Sequence, residues 1–236
     1  MSQSRNFIDI FHNRGFVVLP AFIAAAERLL LRRACDRVLE RTRAECRETG
    51  HTTPRISLLR EGRLGASDLE TLAPLLAFAS SRRVCALLPP LALPHESAVP
   101  QLRDVHYYHE QTQRDWAGDW HRDSQFGRSD PELERQLFER TTSIHFRIAF
   151  EDDDRLEIVS GSHRRWDSAE ELSIRRGGQR ATHEMPDAER VALRVGDACL
   201  FHAWSIHRAS YRRAPIRRTL DLLYGFSQDG SIERPT

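Results

Sequence analysis

The sequence predicts an all-β core with flanking helices, on three observations. Beyond Pro100 the chain falls into about seven short runs of alternating apolar residues separated by turn signals. Before Pro100 the apolar positions recur instead at helical spacing. At 236 residues the chain fits one domain with enough interior to need neither disulfides nor a structural metal. A single-domain solution for so many short strands is a closed pair of sheets, most simply a jelly roll (double-stranded β-helix).

Residues 7–12 carry apolar side chains at helical spacing and run into Gly15-Phe16-Val17-Val18-Leu19-Pro20, a short strand bounded by glycine and proline. Residues 24–43 place Leu29, Leu30, Ala34, Val38 and Leu39 at amphipathic spacing, with a solvated face of Arg and Glu. Periodicity fades over 45–63, which reads as loop. Ser67-Asp68 opens a second helix with Leu69, Leu72, Leu75, Leu76 and Phe78, continued through Val84 to Leu88 and stopped by Pro89-Pro90. Strands are then expected over 102–108, 116–126, 141–150, 155–159, 190–195, 198–201 and 217–226, with a short helix over 130–140. Asp152-Asp153-Asp154 reads as a turn and 166–184 as a polar insertion.

Composition removes several functions. Formal charge is +1, so nothing electrostatic points to nucleic acid or a membrane surface. No apolar run is long enough to span a bilayer, and the N-terminus lacks the apolar centre of a secretory signal. Cys35, Cys46, Cys85 and Cys199 show no close pairing and read as reduced thiols, so a cytoplasmic protein is expected. All 35 basic residues are arginine. Without a lysine, Walker A phosphate loops and Schiff-base catalysis are excluded.

The chemistry gathers in Asp119-Trp120-His121-Arg122-Asp123-Ser124-Gln125-Phe126. On a strand, residues two apart share a face, so His121 and Asp123 reach one pocket while Arg122 turns away. An imidazole and a carboxylate on one face supply two ligands of the 2-His-1-carboxylate triad of non-haem Fe(II) oxygenases. Alone the pair is weak: 11 histidines and 16 aspartates in 236 residues give about 0.7 chance His-x-Asp matches. The same tripeptide occurs in the kinase catalytic loop, but that loop needs an Asn where this chain has Arg128, and a strand lysine. Further on, Gly196-Asp197 precedes Phe201-His202 and His207, and Arg217-Arg218 opens the last strand. Alternation there groups Arg218 with Leu220, Leu222 and Tyr224, and Arg217 with Thr219 and Asp221. The apolar set is expected to face the interior, making Arg218 a carboxylate grip at a cavity mouth and Arg217 a surface residue.

These blocks, taken in order with Gly161-Ser162-His163 and Arg218 eleven residues after His207, resemble the phytanoyl-CoA dioxygenase family of Fe(II)/2-oxoglutarate oxygenases. The resemblance runs through nearly the whole chain, most thinly over 45–100. It implies a cupin-like jelly roll forming one oxygenase domain over 1–236. Residues 1–100 are its mainly helical part, and 101–236 its core, with an insertion at about 166–188. It implies that His121, Asp123 and His207 bind Fe(II), and that Arg218 pairs with the distal carboxylate of 2-oxoglutarate. Dioxygen is then the oxidant, succinate and CO2 are released, and a small molecule is oxidised. A carboxylate at 123 points to hydroxylation, because related halogenases lack it. Relatives often carry a small hydroxyl residue and an Asn where this chain has Ala209 and Arg212.

Two readings of other classes stand beside this one. A Zn-dependent hydrolase uses such a triad but has no role for Arg218. A non-catalytic jelly-roll binding module needs neither. His202 reads as packing beside the metal, and His163 as a turn residue. His145 and Arg147 share the polar face of a strand whose other face is Ile144, Phe146, Ile148 and Phe150; if the apolar face packs on helices they look into the cavity and contact a polar or anionic substrate, and otherwise they form an exposed polar face.

Overall fold

The computed structural model describes residues 2–49, 55–59, 66–109, 115–127, 130–178 and 181–228. Among these residues ten strands form two antiparallel sheets. The larger has six strands in the order β1-β8-β5-β10-β3-β2, the smaller four in the order β4-β9-β6-β7. In the larger are β1 (Phe16–Leu19), β2 (Arg55–Ser57), β3 (Glu96–Tyr108), β5 (Ser143–Ala149), β8 (Ala198–His202) and β10 (Thr219–Gln228). The smaller holds β4 (Trp116–Ala117), β6 (Asp153–Val159), β7 (Ala188–Leu193) and β9 (His207–Tyr211). Sequence-distant strands pair throughout, as the closed double-stranded β-helix requires, and the jelly-roll expectation holds.

The helices α1 (Ser2–Arg14), α2 (Ala25–Thr49), α3 (Ala66–Ala79) and α4 (Arg82–Cys85) supply the apolar cover of the larger sheet. Phe11, Leu31, Cys35, Leu72, Leu75 and Val84 join Val105, Tyr107, Ile144, Phe146, Ile148, Leu200, Leu220 and Leu222 in one buried cluster. Burying a side chain such as Phe146 contributes about 1.5–3 kcal/mol. α2 buries Ala34, Val38 and Leu39 as expected, but its first turn points Leu31 inward and leaves Leu29 and Leu30 exposed. The helical run after Ser67 breaks at Ser80-Ser81, where the Ser81 hydroxyl caps α4 by accepting from the Val84 amide. Between the sheets Phe16, Ala149, Leu156, Ile158, Val191, Leu193, Cys199 and Phe201 pack together, with the Phe201 ring reaching His145 and His207.

β1 starts at a sharp turn at Gly15, whose φ of +80° places an imagined Cβ 2.5 Å from His163 Nδ1 and 2.8 Å from Ser205 Oγ. Only glycine fits there. Three expectations change. The loop over 45–63 contains β2, which pairs with β3 as Ile56 meets Tyr107. The polar insertion contains α6 (Ala169–Arg176), started by a reciprocal cap between Ser168 and Glu171. Asp153 is not a turn residue but the buried first position of β6. The expected helix over 130–140 is α5 (Pro131–Arg140), capped by Asp130. Positions 50–54, 60–65 and 128–129 lie outside the described residues. Among the described residues no helix is long and apolar enough to cross a membrane.

Candidate active site

His121, Asp123 and His207 meet between the two sheets, with one potential ligand atom from each lying within 4.8 Å of the others. Two backbone hydrogen bonds, His121 N to His207 O at 3.0 Å and His207 N to His121 O at 2.9 Å, clamp the histidines side by side. The strand expected over 116–126 stops early. β4 is two residues long, and Asp123 begins a 3-10 turn through Gln125, held by its amide donating to the Ala203 carbonyl at 3.0 Å. The turn still brings Asp123 beside His121, with Asp123 Oδ1 3.4 Å from His121 Nε2 and 3.7 Å from His207 Nε2.

The site suits a cation. His121 Nδ1 lies 2.7 Å from the Asp119 carbonyl and His207 Nδ1 2.9 Å from the Ser205 carbonyl. Both Nδ1 atoms therefore carry the proton and both Nε2 lone pairs face Asp123, the tautomer a divalent metal requires. Burial pulls the His207 imidazole down to about 3, so it is neutral at any ordinary pH. Burial alone would raise the Asp123 carboxyl. The hydrogen bond from His145, and the charge of that imidazole, hold it well below the usual carboxylate range.

Arg122 turns to the opposite side and is fully buried. Its guanidinium donates to the Ser162 carbonyl at 2.9 Å, to the Trp204 carbonyl, and to Asp167 Oδ1 at 2.8 Å. Asp167 also takes Arg175 Nε at 2.9 Å. Arg175 reaches Gln125 at 2.6 Å and Glu134 at 2.9 Å, and Glu134 accepts from the Ser124 hydroxyl at 3.0 Å. Thus α5 and α6 grip the residues on both sides of Asp123 through buried, mutually paired charges.

The apolar face of β5 packs on the helices, so His145 and Arg147 do look into the inter-sheet space, as expected. Their partners are internal. His145 Nε2 lies 2.7 Å from Asp123 Oδ2 and its Nδ1 3.0 Å from Asp221 Oδ1, while Arg147 Nη2 lies 2.7 Å from Asp221 Oδ2. Both ring nitrogens of His145 are taken by carboxylates. Burial opposes its charge, but Asp221 and Asp123 outweigh burial and push the imidazole up to about 10.

The facing of the last strand is also corrected. Leu220 and Leu222 belong to the helix-covered core, and Arg218 shares their side by alternation, donating to the His109 carbonyl and, at 3.0 Å, to the Arg217 carbonyl. Thr219 and Asp221 face the histidines, and Arg217 with them; Arg217 is buried, at 4% exposure. The apolar set does face an interior, but that interior lies under the helices, not around the histidines. Arg217 Nε and Nη2 lie 3.1 and 3.0 Å from Asp153 Oδ2, and the guanidinium stacks 4.4 Å from the Tyr108 ring centroid. The Arg147 guanidinium lies 5.3 Å from the same centroid. Arg217 Nη1 and Arg147 Nη1 are buried without a hydrogen-bond partner among the described residues. Two buried guanidinium groups over one phenol ring, each with an unengaged donor, form a cradle that fits a carboxylate.

Sequence reasoning missed Arg217, Asp221 and Asp153 as members of this site. The signal for the first two lay in their shared parity with Thr219; Asp153 sat inside an acidic run with nothing to single it out.

Two facing antiparallel sheets with a His-x-Asp pair and a distant histidine converging between them define the class of non-haem iron oxygenases. The profile of the phytanoyl-CoA dioxygenase (PhyH) family matches residues 11–219, and the chain belongs to that family of iron- and 2-oxoglutarate-dependent oxygenases. Among solved structures it is similar to EctD from S. alaskensis with bound Fe (18% identity, 97% of this chain and 80% of that one, TM-score 0.65). It is also similar to HygX from Streptomyces hygroscopicus with nickel and 2-oxoglutarate bound (15%, 98% and 89%, TM-score 0.64). A third is the epimerase SnoN in complex with Fe3+, alpha ketoglutarate and nogalamycin RO (16%, 94% and 83%, TM-score 0.57). At these identities the likeness is one of fold. A search of the curated proteins finds no match.

Proposed function

We propose that the protein hydroxylates a small-molecule substrate, with His121 Nε2, Asp123 Oδ1 and His207 Nε2 as the iron ligands. Arg217, aided by Arg147, replaces Arg218 as the anchor of the distal carboxylate of 2-oxoglutarate. One observation carries the reading: both histidines have Nδ1 tied to a backbone carbonyl and Nε2 turned to the same carboxylate oxygen. Bound iron and 2-oxoglutarate supply the oxidising power, dioxygen being consumed and succinate and CO2 released.

The protein contributes position and charge. Three ligand atoms leave open positions for a chelating co-substrate. The guanidinium of Arg217 and Nη1 of Arg147 receive its far end, fixing which way it lies, and the Tyr108 ring floors the cradle. The buried aromatic and aliphatic side chains of β6, β7 and β8 pack against the histidines through Phe201 and exclude water on that side.

The test is oxygen-dependent release of succinate from 2-oxoglutarate with added Fe(II), measured in the wild type and in Asp123→Ala. Release that needs oxygen and vanishes in Asp123→Ala supports the assignment. A hydrolase ignores oxygen, and a binding module releases nothing. Screening small polar and anionic molecules for stimulated 2-oxoglutarate consumption then identifies the substrate class. A product heavier by one oxygen atom supports hydroxylation, and a product of unchanged mass overturns it.

A further inference from the structure

The geometry points to His145 as a positioning residue that makes Asp123 bind metal through one oxygen only. This rests on the assignment of Asp123 as a metal ligand. The carboxylate has two oxygens with different surroundings. Oδ1 faces His121 and His207, whereas Oδ2 is held by His145 Nε2 at 2.7 Å. His145 is itself fixed from every side. Its Nδ1 meets Asp221 Oδ1 at 3.0 Å, and its ring stacks on Phe201 with centroids 4.4 Å apart and planes 2° from parallel. Asp221, completely buried, is balanced on its other oxygen by Arg147 Nη2 at 2.7 Å.

Asp123, His145, Asp221 and Arg147 thus form a chain of alternating charge across three elements: the turn after His121, β5 and β10. A carboxylate with both oxygens free can bind a divalent ion through either one or both, and in the second case it fills two coordination positions. His145 prevents this by occupying Oδ2, so the position a second oxygen would take stays open for exchangeable ligands. Partners of this kind orient a metal's ligands, and losing one costs roughly 10–100-fold in metal affinity.

Co(II) is a suitable probe, because its visible spectrum reports coordination number and its affinity is read by calorimetry in the full-length protein. His145→Phe keeps the stack on Phe201 and removes both nitrogens. Roughly 10–100-fold weaker Co(II) binding with an altered visible spectrum is expected, alongside an unchanged far-ultraviolet circular dichroism spectrum. His145→Gln, which retains one amide donor toward Asp123, is expected to recover most of the affinity and the wild-type spectrum. Should His145→Phe not fold, Asp221→Asn applies the same question one link further back, with a smaller loss in the same direction.

Wild-type or tighter Co(II) affinity in folded His145→Phe, with the wild-type spectrum, overturns the inference. Asp123→Ala separates this from failure of the metal assignment. If that variant also binds Co(II) as the wild type does, Asp123 is not a ligand at all. If it loses binding while His145→Phe does not, only the positioning role falls.

Discussion

Two histidines on neighbouring strands of the larger sheet have opposite fates. In the pairing of β5 with β8, His145 lies opposite Phe201 and Ile144 opposite His202, so the two imidazoles sit on opposite faces of the same sheet. Both are almost completely buried. On the barrel side, His145 meets two carboxylates and its imidazole rises to about 10. On the helix side, burial and the neighbouring charge of Arg122 hold His202 well below the ordinary histidine range, and its Nδ1 accepts from the Trp204 amide at 3.1 Å. Burial is the same on both faces; the partners differ. The helix-covered face excludes water to gain hydrophobic stability, and the barrel face excludes water around paired charges that have work to do.

The largest effect is expected where that pairing is broken. Arg147→Met leaves Asp221 with His145 alone in a dry interior. It should cost about 3–5 kcal/mol in chemical denaturation, as unpaired buried charges do. A cost under about 1 kcal/mol would mean that the two faces are energetically alike.

Next come the two adjacent arginines. Arg217→Met removes charged hydrogen bonds from the barrel face and should weaken 2-oxoglutarate binding about 10–100-fold, whereas Arg218→Met should change it less than about threefold. Calorimetry with Ni(II) in place of iron measures both. The reverse ranking would restore Arg218 as the co-substrate anchor.

On the helix side, Ile148→Val should cost only about 0.5–1.5 kcal/mol of stability and leave 2-oxoglutarate affinity alone. A drop in affinity would show the faces to be coupled.

The last effect is a pH dependence of stability. Burial, with nearby Arg164 and His12, lowers His163 to about 4, against an ordinary value near 6.5. Between those values the unfolded chain binds the proton and the folded one does not. The stabilisation is therefore complete above about pH 6.5 and is lost as pH falls toward 4. The thermal midpoint should decline over that range, and His163→Gln should flatten the decline.

The partition of β5 and β10 into two faces was legible in the primary structure, because alternation is a property of the backbone alone. His121, Asp123 and His207 were legible for a related reason: a short local motif and a strand bearing a histidine sit at recognisable places. The parity of Arg217 and Arg218 was legible too, but not its sign. Calling the apolar face "inside" was right and misleading, since this sheet has two insides. Nothing in the Asp152-Asp153-Asp154 run marked its middle member as a partner of Arg217. The start of α6 was readable from Ser168 and Glu171, but not that Arg175 within it would reach Gln125 in the turn that begins at Asp123.

By itself the sequence determined the strand-rich core, the residues that share a face and the ligand types available, because these follow from backbone period and side-chain chemistry. Only the tertiary structure decided which face looks at the histidines and which carboxylate meets which guanidinium. The physical reason is that α1 to α4 had to cover one side of the larger sheet. Once they took the apolar side, every charged residue of opposite parity was committed to the barrel.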